Sequence, residues 1–302
     1  MNRIRQKKYI FCNLKGTKIN MNIGIVGLGL IGGSMAKALK TYTDNTVFGW
    51  NRTEAVTDEA ISINALDGKL NETTIPGCQL IVISLYPEAT IEYIKKYAHL
   101  ISKDAVVIDC GGVKRLICDA IVPIAREYGF TFIGAHPMAG LHMSGFAYAT
   151  ADLFQNASLV LCPDDDIPAE KVDMLRNVFT KTGFTNIQIA TPEEHDRIIA
   201  YTSQLCHVVS NAYVKNNAAT LHKGFSAGSY RDLTRVAKLN EGMWTELFFE
   251  NEDYLIEELD EFIENLTKYR DALAERNRDN MHQLLKEGRE RKEAIDGLIY
   301  RN

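Results

Sequence analysis

No apolar run in this 302-residue chain reaches the ~18–20 residues that a membrane helix needs, so no membrane span is expected. Positive charge is not in surplus either: 34 Lys and Arg stand against 39 Asp and Glu, a net charge of −5. Nucleic-acid binding calls for a basic face, and none is expected here. The six cysteines (Cys12, Cys78, Cys110, Cys118, Cys162, Cys206) form no CxxC pair. Several lie in apolar, strand-like runs, which reads as reduced, buried thiols in a cytoplasmic protein, with no metal site. There is no repeat and no low-complexity segment. What remains is an ordinary globular composition, 46% hydrophobic and 24% charged, long enough for one large domain or two ordinary ones.

Residues 1–20 stand apart. They carry Arg3, Arg5, Lys7, Lys8, Lys15 and Lys18 around a short apolar patch from Tyr9 to Cys12. The patch is brief for a secretory signal, and no small-residue cleavage site follows it. The reading is a disordered N-terminal extension, with a compact protein beginning at Met21.

From there, β-rich runs alternate with helix-like segments. Strands are expected at Asn22–Val26, Thr46–Trp50, Leu80–Leu85, Ala105–Asp109, Thr131–Ala135, Ser158–Leu161 and Asn186–Ala190. Helices are expected at Ser34–Lys40, Glu88–Leu100, Lys114–Tyr128 and Ala169–Thr182. A run such as Leu80-Ile81-Val82-Ile83 is apolar on both faces, as a strand between two helix layers must be. The alternation predicts βαβ units and a mostly parallel sheet of the Rossmann type over residues 21–190. After Pro192 convincing strands stop. Glu193 and Glu194 suit the first turn of a helix running to about Asn217. Leu255, Leu259, Phe262, Leu266, Tyr269 and Leu273 then recur at spacings of three and four. Residues 191–302 therefore read as an all-helical domain whose stripe is core or a subunit interface, which favours a homodimer built through the helices.

Gly27-Leu28-Gly29-Leu30-Ile31-Gly32 follows the first strand and opens a helix. In that context the first glycine makes a tight turn, the second lets backbone approach a pyrophosphate, and the third lets helix and strand pack closely. The anion would rest on the helix's free N–H groups. An NAD site ordinarily carries an acidic residue ~20 residues on, for the ribose 2′-hydroxyl. Here Asn51-Arg52-Thr53 stands instead. Asn51 suits a ribose, and Arg52 and Thr53 suit a 2′-phosphate, so the cofactor reading is NAD(P) with a lean to NADP. Ser84 and Asp109, at the ends of later strands, join the cofactor candidates.

Of seven histidines, His99, His195, His222 and His282 read as surface residues in polar helical surroundings. His136, in Gly134-Ala135-His136-Pro137-Met138-Ala139-Gly140, lies instead past a strand end, where open α/β sheets bind ligands. An imidazole there titrates in the range a general base needs. Spacing alone leaves catalysis and a structural role both open.

The glycine turn, Asp109-Cys110-Gly111-Gly112-Val113-Lys114, Gly134 to Gly140, Ser144-Gly145, and Thr234-Arg235-Val236-Ala237 followed by Met243-Trp244 together resemble the prephenate dehydrogenase family, in order and spacing, from about residue 22 to 302. The resemblance implies a nucleotide-binding domain followed by a helical dimerisation domain. It also implies oxidative decarboxylation of prephenate to 4-hydroxyphenylpyruvate with reduction of NAD(P)+, a step of tyrosine biosynthesis. Residue by residue, it makes His136 catalytic and Arg235 the arginine on a substrate carboxylate. His207 and Ser203 become substrate-site residues from one helix, and Lys114 and Asp109 lie in a turn covering the nicotinamide side. Two departures stand out: Gly112 occupies the place of a family serine, and His142 that of a glutamate found in some members.

Arogenate dehydrogenase is the nearest alternative; His142 offers no partner for arogenate's ammonium, which tilts the reading toward prephenate. Another two-domain nicotinamide enzyme, such as a 3-hydroxyacid dehydrogenase or an imine reductase, would commonly use a helix-borne lysine. This chain's helix carries Ser203 and His207 instead, with Lys215 further along. A non-enzymatic nucleotide-sensing module would leave His136 and Arg235 without a task. With ~280 residues filling two domains, no chorismate mutase module is expected ahead and no β-rich regulatory module behind.

Overall fold

A computed structural model describes residues 20–141 and 143–299. The expected disorder of the N-terminal extension and the expected substrate role of His142 fall outside the described residues.

Eight strands form one sheet in the order β3-β2-β1-β4-β5-β6-β7-β8. They are β1 (Asn22–Val26), β2 (Thr46–Trp50), β3 (Gly68–Lys69), β4 (Leu80–Ile83), β5 (Val106–Asp109), β6 (Thr131–Pro137), β7 (Ser158–Cys162) and β8 (Asn186–Ile189). All neighbours are parallel except β6 and β7. The first six strands reproduce the Rossmann order 3-2-1-4-5-6. β4 and β5 are buried at every position, because helices cover both faces. One face holds Ile25, Met35, Val82, Ile108 and Ile133, and the other Val26, Ile83, Ile94, Val107 and Ile121. Each such side chain contributes ~1.5–3 kcal/mol by leaving water.

The helices of this half are α1 (Leu30–Tyr42), α2 (Glu54–Ser62), α3 (Pro87–Tyr97), α4 (Arg115–Tyr128) and α5 (Ala169–Phe179). α1 starts at Leu30, earlier than the expected Ser34, because the glycines read as loop are helical residues packed against the turn. α2 and the two-residue β3 had no sequence signal strong enough to find them: α2 buries only Thr57 and Ala60.

From Thr191 on, the described residues form helices joined by turns and loops, with no further strand. The Thr191 side chain accepts from Glu194 N at 3.0 Å, and Glu194 Oε2 accepts from Thr191 N at 3.0 Å. This capping box starts α6 (Pro192–Ile199) where the carboxylates indicated. The expected continuous helix is interrupted. A π-helical segment, Ala200–Leu205, separates α6 from α7 (Cys206–Tyr213). Then come α8 (Gly228–Thr234), α9 (Glu241–Phe249), α10 (Glu252–Ala274) and α11 (Arg278–Ile299).

Candidate active site

The glycine turn shows what it was built to hold. Gly27 has φ +89°, and a Cβ there would lie 2.4 Å from Ser84 O. At Gly32 a Cβ would lie 1.9 Å from Gly27 O, so only glycine lets α1 sit against the turn. Gly29 is different: a Cβ would meet nothing within 4 Å. Its missing side chain leaves open the space over the N-terminus of α1. No side chain caps that end, so the first-turn N–H groups of Leu30, Ile31 and Gly32 are free to bind an anion. An uncapped N-terminus beneath an open glycine fits a dinucleotide pyrophosphate.

Asn51 Oδ1 accepts from Leu28 N at 3.1 Å, and Asn51 Nδ2 donates to Thr53 O at 3.2 Å. Asn51 therefore braces the turn before it can serve a ribose. Arg52 and Thr53 are exposed, and neither side chain has a hydrogen-bond partner among the described residues. Ser84 follows β4 beside Gly32, its N–H bonded to Val26 O at 2.7 Å.

β6 carries His136. Its parallel pairing with β5 ends at Ile133, while Gly134 to Pro137 pair only with β7. The strand thus overruns the C-terminal edge of the parallel sheet and delivers a partly exposed imidazole on the cofactor side. Beneath it, Asp109 and Lys114 clamp the preceding residue. Asp109 Oδ1 accepts from Ala135 N at 2.9 Å, and Lys114 Nζ donates to Ala135 O at 2.7 Å. The two side chains form an ion pair with each other, both fully buried. Burial pulls the Lys114 pKa down, but the charge of Asp109 outweighs it and holds the ammonium raised.

Lys114 and Asp109 are thus spent on each other and on the backbone of Ala135, fixing the strand end from below. One expectation is corrected: His195 is 3% exposed and no surface residue. Its Nε2 lies 2.9 Å from His136 Nδ1, and its Nδ1 lies 2.7 Å from Asp196 Oδ1. Asp196 also accepts from Lys114 N at 2.7 Å and Arg115 N at 2.8 Å. Burial, then His195 and Lys114, hold the His136 pKa well below the ordinary imidazole value. Burial also lowers His195, against the raising effect of the bond to Asp196. His195, Asp196 and Ile199 share the buried face of the helix that the capping box starts.

The helical half supplies the opposite wall. In a regular helix His207, twelve residues on from His195, would point ~120° away from it. The π segment unwinds the path by roughly a third of a turn, bringing the two back toward one side. His207 packs its ring on Trp244 at 4.0 Å and sets Nδ1 3.1 Å from Val236 O. Burial lowers its pKa, helped by the charge of nearby Arg235. Arg235 is exposed and pairs with no carboxylate among the described residues, Asp232 included. Ser203 lies within the π segment, partly buried. Among the described residues no hydrogen bond or ring contact joins His136 to Arg235 or His207; they sit on different elements.

The two walls are fastened to each other. Asn251 Nδ2 donates to Asp196 O at 2.9 Å and to Gln204 Oε1 at 2.8 Å, while Gln204 Nε2 donates to Leu247 O at 2.7 Å. Arg115 reaches from α4 to Asn251 Oδ1 at 2.8 Å and pairs with Asp253 at 2.5 Å. A Cβ on Gly112 would face Leu247 Cδ2 at 3.2 Å, so α9 packs over the turn where the family serine was missed. Beside this clasp, Glu250 Oε2 is buried without a hydrogen-bond partner. Burial, with Glu246 and Glu88 near, pushes its pKa up to about 7.

A Rossmann sheet with an open glycine cradle, an imidazole beyond its C-terminal edge and a helical wall bearing a free arginine define a dinucleotide-dependent dehydrogenase. A family model described as the prephenate dehydrogenase nucleotide-binding domain matches residues 35–188, and one described as the prephenate dehydrogenase dimerization domain matches residues 191–287. The chain belongs to the prephenate dehydrogenase family.

Among relatives, a cyclohexadienyl dehydrogenase of Zymomonas mobilis is 30% identical over 284 residues, spanning 91% of this chain and 96% of that protein. A prephenate dehydrogenase of Bacillus subtilis is 29% identical over 92% of this chain and 76% of its own length. Among solved structures, prephenate dehydrogenase from A. aeolicus with hydroxyphenyl propionate and NAD+ superposes with a TM-score of 0.78 at 25% identity, covering 93% of this chain and all (100%) of that one. Synechocystis arogenate dehydrogenase gives 0.77 at 26%, covering 91% of this chain and 100% of its own. Among the described residues, no helix is long and apolar enough to cross a membrane.

Proposed function

We propose that this chain oxidatively decarboxylates prephenate to 4-hydroxyphenylpyruvate using NAD(P)+. The observation that carries the reading is His136: a neutral imidazole beyond the sheet edge, its Nδ1 occupied by His195 and its Nε2 left for a substrate hydroxyl. Family membership supplies the substrate class.

The dinucleotide would lie with its pyrophosphate on Leu30, Ile31 and Gly32, its ribose near Asn51, Arg52 and Thr53, and its nicotinamide end toward Ser84. When bound, it supplies the hydride acceptor. His136 withdraws the hydroxyl proton as the carbinol carbon loses hydride. The ring C–carboxylate bond then breaks, its electron pair enters the ring, and carbon dioxide leaves as the ring becomes aromatic. Phenolate oxygen takes the proton back, so no net proton is released. Arg235 holds a carboxylate of the dianion with the strength of a charge-assisted bidentate pair, and His207 and Ser203 line the same wall.

We further propose a boundary between domains near residue 190, a homodimer through the helical domain, and a preference for NADP, since Arg52 and Thr53 are exposed and unpaired where an acidic residue would repel a 2′-phosphate. Arogenate, sharing ring and carboxylates, is the alternative substrate. Turnover measured with prephenate and with arogenate, each with NAD+ and NADP+, tests the reaction, the substrate and the cofactor. Reduction of NADP+ with prephenate is the expected result; no reduction in any combination overturns the reading.

A further inference from the structure

We propose that His195 and Asp196 form a two-imidazole relay with His136 that selects its base nitrogen and shares the substrate proton during turnover. The proposal rests on the reading of His136 as the base and deepens it.

The argument begins at the fixed end. Asp196 is fully buried, and both its oxygens face donors: Lys114 N and His195 Nδ1 on one, Arg115 N on the other. A carboxylate can only accept, so His195 carries its proton on Nδ1. Its Nε2 is then a lone pair, and the contact at 2.9 Å requires His136 to donate from Nδ1. His136 Nε2 is thereby left unprotonated and free. One carboxylate thus sets the tautomer of two rings in succession. The other charged groups around them, Lys114 and Asp109 below and Arg115 beside Asp196, already have partners of their own.

When His136 Nε2 takes the hydroxyl proton, its Nδ1–H bond can break as His195 Nε2–H forms. The charge then rests on an imidazolium held against Asp196. The reverse shift returns the proton through His136 to the phenolate oxygen. Nothing is oxidised or reduced in the relay. His195 is therefore a positioning residue, not one that touches substrate.

The first test needs no substrate. In 15N-histidine-labelled wild-type enzyme at neutral pH, NMR should show His136 protonated at Nδ1. Protonation at Nε2 overturns the proposal whatever the substrate proves to be, whereas failure to turn over prephenate would sink the proposed function and leave this result standing. The second test is kinetic. His195→Ala should lower kcat ~100-fold with KM within ~3-fold. His195→Gln, whose amide oxygen can still accept from His136 Nδ1, should recover ~10-fold of that loss. Wild-type kcat in His195→Ala, or a His195→Gln enzyme no faster than His195→Ala at equal thermal stability, overturns it.

Discussion

The sheet half and the helical half of this molecule solve burial differently. Between Met21 and Ala200 the strands and their covering helices close over a two-faced core of many fully buried apolar side chains. Beyond Leu205 the described buried hydrophobics are Leu255 and Ala272. Phe225, Leu221, Leu273 and Phe249 are at least 70% exposed, and Ile256, Ile263 and Leu266 line α10 in the open. A parallel sheet is completed by its own crossover helices. An antiparallel helix pair such as α10 and α11 buries one stripe and leaves another for a second chain. The proposed chemistry follows the same division: His136, the proposed base, lies in the sheet half, and Arg235, the proposed substrate ligand, in the half with the smaller core.

Breaking the rigid half should have the largest effect. His136→Ala is expected to lower kcat ~1,000-fold or more with little change in KM, checked by steady-state turnover. Arg235→Ala, on the helical wall, should raise KM for prephenate ~100-fold, the loss of a charge-assisted pair, with a smaller effect on kcat; the opposite split between the two variants would reverse their roles. Next, Lys114→Met should destabilise the fold by ~3 kcal/mol, because it strands Asp109 in a buried site. Denaturant unfolding checks this, and unchanged stability with a raised KM would restore Lys114 as a substrate ligand. On the exposed stripe, the pair Ile263→Asp and Leu266→Asp should leave the sheet intact but shift the sedimenting mass from a dimer to the 33.9 kDa chain.

The smallest effect concerns pH. His136 and His195 are held below their ordinary values, so the unfolded chain binds protons first, and their contribution fades as pH falls through ~6.5. Glu250 works in the other direction. Raised from 4.5 to about 7, it costs stability progressively as pH rises between those two values and holds the full cost above them. Glu250→Gln should therefore raise stability at pH ~8 by ~1 kcal/mol, a figure reduced for its exposed half, and leave it unchanged at pH ~5. A melting curve at each pH checks the sign.

Much of this was legible in order along the chain. Gly27 and Gly32 declare their turn because a side chain at either would collide with backbone, Gly29 leaves the space above the helix end open, and the seven expected strands declare themselves by apolar runs. The capping box of Thr191 and Glu194 is likewise local. β3 and α2 were not legible, having too little apolar surface to make a period. His195 was misread because the polar neighbours that surround it in sequence, Glu194 and Asp196, suggest solvent. In the fold its neighbours are His136, 59 residues away, and the backbone of Lys114 and Arg115.

By itself, then, the sequence determined the class of fold, the cofactor cradle and the histidine at the strand end, because each depends on contacts within a few residues or on a short-period pattern. Only the tertiary structure decided which groups face that histidine. It buried Lys114 against Asp109 and set His195 and Asp196 in line behind His136. Such pairings depend on where β5, β6 and α6 meet, and no local propensity encodes that meeting.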